Sequence, residues 1–262
     1  MPEGIEVEQA RRFIEQRALD REIAGVETPD AWYLKRGATA AALGAALPGH
    51  RFTASRRRGK QLLLDTDRDG PTLGLHLGMS GRVLIDDQAA GDPLVYGSNL
   101  ENPVWHRFTI RFADGGWLAL RDPRRLGGVE LDPDEDRFGP DMFEITQAEL
   151  DHVLTRSRAP VKAVLMDQSR IAGLGNLLAD EVLWRAGIDP ARPARELDRN
   201  ERRRLHRAIN RTVLLTLERG GAHTGDHMPE RFPGGVCPKD GTLLERRTVA
   251  GRTTFSCPTH QR

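Results

Sequence analysis

The stretch QSRIAGLGNLLADEVLWRAGIDP, residues 168–190, decides how this chain is organised. Gly173 and Gly175 interrupt the apolar pattern with tight turns, and LLADEVLWRA then runs on to Gly187, with Pro190 just beyond. Glycine directly after a run and proline past it are helix stop signals, so the run reads as a helix that opens at the turns and closes at Gly187. Upstream, AELDHVLTRS and VKAVLMDQ also have helical spacing, which makes the region helix, tight turns, helix. Glycines permit the positive φ angles of tight turns, and the amides at the start of the next helix would face outward as a phosphate cradle, with the side-chain amide of Asn176 beside them. A purely structural turn is the competing reading.

Toward the N-terminus the pattern changes. From about Arg51 to Leu131, short β-prone runs (QLLLDT, PTLGLHLG, GRVLID, RFTIRF, GWLAL and GGVEL) are separated by Gly, Asp and Pro turns. They predict a β-sandwich or barrel. Before them, Ile5, Ala10, Phe13, Ile14 and Ala18 share one face of a helix over residues 5–19. The acidic stretch LDPDEDRFGPD, residues 131–141, marks a boundary, and the last segment alternates β-prone residues around a Gly-containing turn. The expected fold class is therefore α+β in two domains. A β-sandwich with an N-terminal helix spans residues 1–131, a linker 132–142, a helical domain 143–220 and a β-hairpin 221–262.

At 262 residues, 38% hydrophobic and 29% charged, the composition fits a soluble globular protein with a sizeable core in each domain. No apolar run is long enough to span a bilayer, and MPEGIEVEQARR lacks a signal-peptide core, so a cytoplasmic protein with no membrane partner is expected. Two cysteines, Cys237 and Cys257, rule out a disulfide framework, and their spacing reads as metal chemistry. The net charge of +1 hides bunching: Arg56, Arg57, Arg58 and Lys60; Arg121, Arg124 and Arg125; Arg202, Arg203, Arg204, Arg207 and Arg211. Such clusters suit a surface that tracks phosphates, and for the third, on a helix, a plain solvated face is the alternative.

Removal of Met1 would leave Pro2 with a free secondary amine. An α-amino group titrates near ~8, so a useful fraction is neutral and nucleophilic at neutral pH. Attack of that amine on C1′ of a deoxyribose gives an iminium ion, an electron sink for later elimination, and Glu3 is adjacent to move protons.

MPEGIEVE, RRRGKQLLL, HLGMSGRV, RDPRRLGG and QSRIAGLGNLLADEVLWRAGIDP, in that order over nearly the whole chain, resemble the formamidopyrimidine-DNA glycosylase and endonuclease VIII family. The resemblance implies a bifunctional DNA glycosylase and abasic-site lyase acting in base excision repair on damaged double-stranded DNA, a monomer at the bacterial nucleoid. It implies that Pro2 forms the Schiff base, that Glu3 is the acid that helps open the sugar, and that Lys60 binds phosphate and assists β-elimination. Met79, Arg124 and Leu126 would fill the void left by the extruded base, leucine standing where one branch commonly has phenylalanine. Arg158, Lys162 and Asn176 would contact DNA, and Arg252 would grip the phosphate beside the lesion for δ-elimination.

In the family the C-terminal hairpin is a four-cysteine zinc finger. Here the same spacing gives Cys237 with Asp240 and Cys257 with His260, a set that can bind zinc, against a metal-free hairpin held by packing. The segment from Gly220 to Cys237 is short compared with the branch whose longer loop closes over 8-oxoguanine. A broad preference for ring-opened purines, oxidised pyrimidines or abasic sites is expected, with 8-oxoguanine handled poorly. A non-catalytic damaged-DNA binder of the same fold is the second reading.

Overall fold

The computed structural model describes residues 2–91, 100 and 102–262. Two compact units emerge: Pro2 with Glu6–Glu135, and Glu3–Ile5 with Asp136–Arg262. The split falls inside the first helix, α1 (Gly4–Arg17), whose opening residues belong to the second unit.

The first unit continues through β1 (Ile23–Glu27), α2 (Ala40–Ala46), β2 (Phe52–Arg58), β3 (Gln61–Thr66), β4 (Leu73–His76), β5 (Arg82–Ile85), β6 (Gln88–Ala89), β7 (His106–Phe112), β8 (Trp117–Arg121) and β9 (Gly128–Leu131). Neighbouring strands pair antiparallel in two sheets, β1-β7-β8-β5-β6 and β2-β3-β4-β9. Alternation along the strands sends one side of each sheet inward. Phe108, Ile110, Leu118 and Leu120 from one sheet meet Leu62, Leu64, Leu73 and Leu75 from the other in a single core, closed by Val7, Ala10 and Ile14 of α1. The expected sandwich is present, with β1, β2, β6 and α2 in addition to the runs read from the sequence.

The second unit holds α3 (Gln147–Thr155), α4 (Val161–Met166), α5 (Asn176–Ala186), α6 (Arg199–Glu218) and a hairpin of β10 (Glu245–Val249) and β11 (Arg252–Ser256). Capping boxes start two of its helices, Thr146 with Glu149 on α3 and Asp198 with Glu201 on α6, each cap stabilising its helix by about 1 kcal/mol. Gly187, at φ 68°, closes α5 in the left-handed conformation that the stop signal anticipated. Leu150, Val161, Leu178, Val182, Leu205 and Ile209 join in its core. Residues 221–262 fall within this unit, where Cys237, Leu244 and Cys257 cluster with Trp184 of α5. Among the described residues no helix is long and apolar enough to cross a membrane.

Candidate functional site

Helix α5 begins at Asn176 with Gly175 as its cap residue, which has no side chain to bond the first amides. Glu3 takes that place. It is fully buried, and its carboxylate accepts hydrogen bonds from the amides of Gly175 (2.8 Å), Leu177 (2.8 Å) and Leu178 (3.2 Å). An anion at a helix N-terminus satisfies orphan donors and meets the positive end of the helix dipole. The amides expected to cradle phosphate are thus engaged by a carboxylate of the chain itself, which corrects the sequence reading of this turn. Gly175 has an ordinary extended φ of −125°, so no left-handed turn requires it. Close approach does, because a Cβ there would lie 2.3 Å from the Glu3 carboxyl carbon. Gly173, at φ 109°, is the glycine that the backbone demands. Gln168 fixes the same turn, donating to the carbonyls of Met166 and Leu174 and accepting from the Gly173 amide. Pro2 is buried, and Met1, on whose removal its amine depends, lies outside the described residues.

Behind the turn, the carbonyl of Thr253 accepts from Arg231 (3.0 Å), Lys162 Nζ (3.3 Å) and the side-chain amide of Asn176 (3.3 Å). Three donors on one oxygen fix the strand that carries Arg252, itself exposed. Lys162 also donates to Thr254 Oγ1 at 2.7 Å and pairs with Asp180 at 2.6 Å, both partners of that ion pair being fully buried, and Arg231 bonds the other Asp180 oxygen at 2.8 Å. Burial pushes the Lys162 amine below its ordinary value, against the pull of Asp180. A lysine enclosed in this way positions the hairpin, so the exposed DNA contact expected of Lys162 does not fit its place. Arg158 is exposed and Asn176 half-buried.

In the first unit, Met79, Arg124 and Leu126 are all exposed, Met79 and Leu126 at 40% and 48%. Their two loops are joined by Asp122, which is fully buried. One of its oxygens accepts from Ser80 Oγ (2.6 Å) and the Arg124 amide (3.2 Å), the other from the amides of Leu126 (2.9 Å) and Gly127 (2.8 Å). Gly78, at φ 59°, lets the backbones touch: a Cβ on it would fall 2.4 Å from Gly127 N. Sequence reasoning passed over Asp122, although an aspartate bonding the amide two residues on is a recognisable turn signal. Lys60 sits half-buried at the tip of the β2–β3 hairpin. Its turn is anchored by Arg57, which donates to the Gly59 carbonyl (3.0 Å) and pairs with Glu8 of α1 (3.3 Å).

The basic clusters separate on inspection of their partners. Arg56 pairs with Asp65 and Glu135, Arg125 with Asp30, and Arg202 with Asp151, while Arg121 is buried. Arg203, Arg207 and Arg211 are exposed along α6, as is Arg204, which lies 3.9 Å from Glu201 and donates to the Ala186 carbonyl.

Cys237, Asp240, Cys257 and His260 converge, each offering a ligand atom within 4.8 Å of the others. Cys237 Sγ is 3.4 Å from His260 Nδ1, Cys257 Sγ is 3.3 Å from the nearer Asp240 oxygen, and His260 Nδ1 is 3.4 Å from that carboxylate. Bonds of about 2.0–2.3 Å to a tetrahedral ion separate ligands by about 3.3–3.8 Å, so the set fits a metal. His260 Nε2 lies 3.0 Å from the Trp184 carbonyl, which can only accept; Nε2 therefore carries the proton and Nδ1 keeps its lone pair for the site. The Thr242 amide holds the Asp240 carboxyl well below the usual range, whereas burial pushes the Cys257 thiol up, a cost that a bound cation would reverse.

Comparison with known proteins agrees with this architecture. Residues 1–129 match the model of the formamidopyrimidine-DNA glycosylase N-terminal domain, and residues 132–227 that of the formamidopyrimidine-DNA glycosylase H2TH domain. The chain is 35% identical to a formamidopyrimidine-DNA glycosylase of Chloroflexus aggregans over 98% of both chains. It is 34% identical to one of Thermus thermophilus over 100% of this chain and 98% of the relative. Among solved structures, the Lactococcus lactis protein in complex with DNA containing a FAPY-dG superposes with a TM-score of 0.83 at 26% identity, covering 98% of this chain and 99% of that one. The same protein with abasic-site DNA superposes with a TM-score of 0.83 at 27% identity over 99% of both. With both family domains matched in order along the sandwich and the helical unit, this chain belongs to the formamidopyrimidine-DNA glycosylase family.

Proposed function

We propose that the chain is a base-excision DNA glycosylase for oxidised or ring-opened bases that also cleaves the resulting abasic site. The observation that carries the reading is the capture of Glu3 by three amides of α5, which fixes the residue directly bonded to Pro2. With Met1 removed, the Pro2 nitrogen attacks C1′; the bond from C1′ to the base breaks and the base leaves with the electron pair. Glu3 takes up the proton that the Pro2 nitrogen loses on bonding to C1′ and delivers it to the sugar ring oxygen, so that the ring opens and an iminium remains between Pro2 and C1′. Loss of a C2′ proton then expels the 3′ phosphate, and a second elimination expels the 5′ phosphate.

Lys60 and Arg252 bind phosphate through these steps, Arg158 and Asn176 contact the backbone, and Met79, Arg124 and Leu126 enter the duplex as one unit to replace the extruded base. Lys162 acts from within, on the strand bearing Arg252. Zinc is the metal that suits the Cys237, Asp240, Cys257 and His260 set; bound, it would be a structural ion drawing the two ends of the hairpin together.

A broad substrate range with poor use of 8-oxoguanine is supported by the segment after α6. Glu181 accepts from the amides of Asp226 and His227, Asp226 pairs with Arg185 and Arg219, and Arg231 pairs with Asp180. A segment tied down this often is poorly suited to fold over a base.

Borohydride trapping on abasic duplex tests the proposal. The mature protein becomes covalently attached to DNA, and Pro2→Gly weakens the attachment strongly. Tight binding without attachment would instead establish the non-catalytic binder. Fast, selective removal of 8-oxoguanine opposite cytosine from a panel of lesion duplexes would overturn the substrate range.

A further inference from the structure

Helix α6 buries Leu205, Ala208, Ile209 and Val213 and exposes Arg203, Arg204, Arg207 and Arg211. Two adjoining concavities share Arg204 and Arg207. One, of about 430 Å³, is lined with them by Gln147, Asn200 and Arg203; the other, of about 420 Å³, runs past Arg211 to Arg185 and Lys239. Asp226, the carboxylate in this lining, already pairs with Arg185 at 2.6 Å and Arg219 at 2.7 Å. The groove also lies at the C-terminal end of α5, beside Trp184 and Arg185, whereas Glu3 and Asn176 are at its N-terminal end. An eleven-residue helix is about 16 Å long, so the groove is distinct from the Glu3 end of the same unit.

We propose that this groove is a second DNA-binding surface, which holds the phosphate backbone of an undamaged duplex segment apart from the one being repaired. The inference rests on the reading of the chain as a DNA-binding enzyme. Arg203 to Arg211 cover about 12 Å along α6, and phosphates of one strand advance about 3.4 Å along the duplex axis, so the row spans three to four of them. Guanidinium groups bond phosphate oxygens bidentately, and Asn200 and Gln147 add amide donors at the rim. Contacts to phosphate carry no sequence information, so binding here is independent of sequence. A protein holding two segments at once can pass from one to the other without full release, which shortens the search for rare lesions.

The test uses the full-length protein and the triple variant R203E/R207E/R211E, with the arginine-to-lysine triple as a control that keeps the charge. On undamaged duplex, each phosphate contact contributes about 0.9 to the slope of log affinity against log salt. The glutamate variant is expected to lower that slope by about 2–3 and to abolish bridging, read as energy transfer between donor- and acceptor-labelled duplexes mixed with protein. The lysine variant restores both, and cleavage of a short abasic duplex stays within about twofold in all three. An unchanged slope and bridging signal in the glutamate variant, its circular dichroism melt matching the parent, overturns the proposal. So does retention of a polyglutamate peptide by the groove in preference to duplex DNA. Because slope and bridging are read on undamaged DNA, they report on the groove even if borohydride trapping fails.

Discussion

Replacing Glu3 with glutamine removes one negative charge and one acceptor from the start of α5. The carboxylate now serves three amides, and the glutamine oxygen can serve only those on one side, leaving its NH₂ facing the Leu177 amide or the Gly175 and Leu178 pair. Hydrogen bonds to a charged group contribute about 1.5–3 kcal/mol against about 0.5–1.5 for neutral pairs, so one lost bond and the weakening of the others amount to about 3 kcal/mol. With a urea m-value of about 2–3 kcal/mol/M, the unfolding midpoint of the second unit drops by about 1 M. Trp184, buried on the same helix, reports that transition by fluorescence. Activity per folded molecule should fall about 100-fold or more, the usual yield of a positioned proton donor. A Glu3→Gln midpoint within about 0.2 M of the parent refutes the reasoning, because a helix start that is indifferent to the charge is not capped by it.

Asp122→Ala should orphan the Leu126 and Gly127 amides and separate the loops bearing Met79 and Arg124, at a cost of about 3 kcal/mol. Excision from duplex should fall by more than about tenfold while trapping on a single-stranded abasic oligonucleotide holds, since a single strand needs no extrusion; equal losses on both substrates would contradict the positioning role. Purified protein should carry about one zinc per chain by elemental mass spectrometry, with His260→Ala or a strong chelator removing it and loosening the hairpin; metal-free protein with an intact hairpin refutes the site. Burial holds the His227 imidazole below its ordinary value near 6.5, so the unfolded chain takes up the proton first and stability is lost as pH falls below that value. Melts from pH 8 to 5 should show the loss, and His227→Gln should flatten it; a parallel curve for the variant removes His227 as the cause.

Much of the fold was legible because single residues announce their structural role. Leu62 and Leu64 alternate into the core from QLLLDT, and Gly187 with Pro190 stops α5 where expected. Strand β1 escaped because it pairs at a sheet edge through β7 alone, carries Gly25 and buries one residue of five. At the site, residue type misled where burial overrides it. A lysine reads as exposed, yet Lys162 is enclosed with Asp180, and an arginine cluster reads as phosphate-seeking, yet Arg56 and Arg57 are spent on acids of the same unit. Gly175 was read as a turn residue, and the reason for it, the carboxyl group of Glu3, lies 172 positions away, where no local pattern points.

That separation bears on how the protein is made. The third residue to leave the ribosome is the cap of a helix whose amides are translated some 170 residues later, a delay of about 10–35 s at ordinary bacterial elongation rates. Until then a sandwich can form around the later turns of α1, while Glu3 awaits the helix that it caps. Assembly of the helical unit is thereby a late event that recruits the oldest part of the polypeptide, and a bulky fusion ahead of residue 2 would obstruct that last docking step while leaving translation and the sandwich untouched.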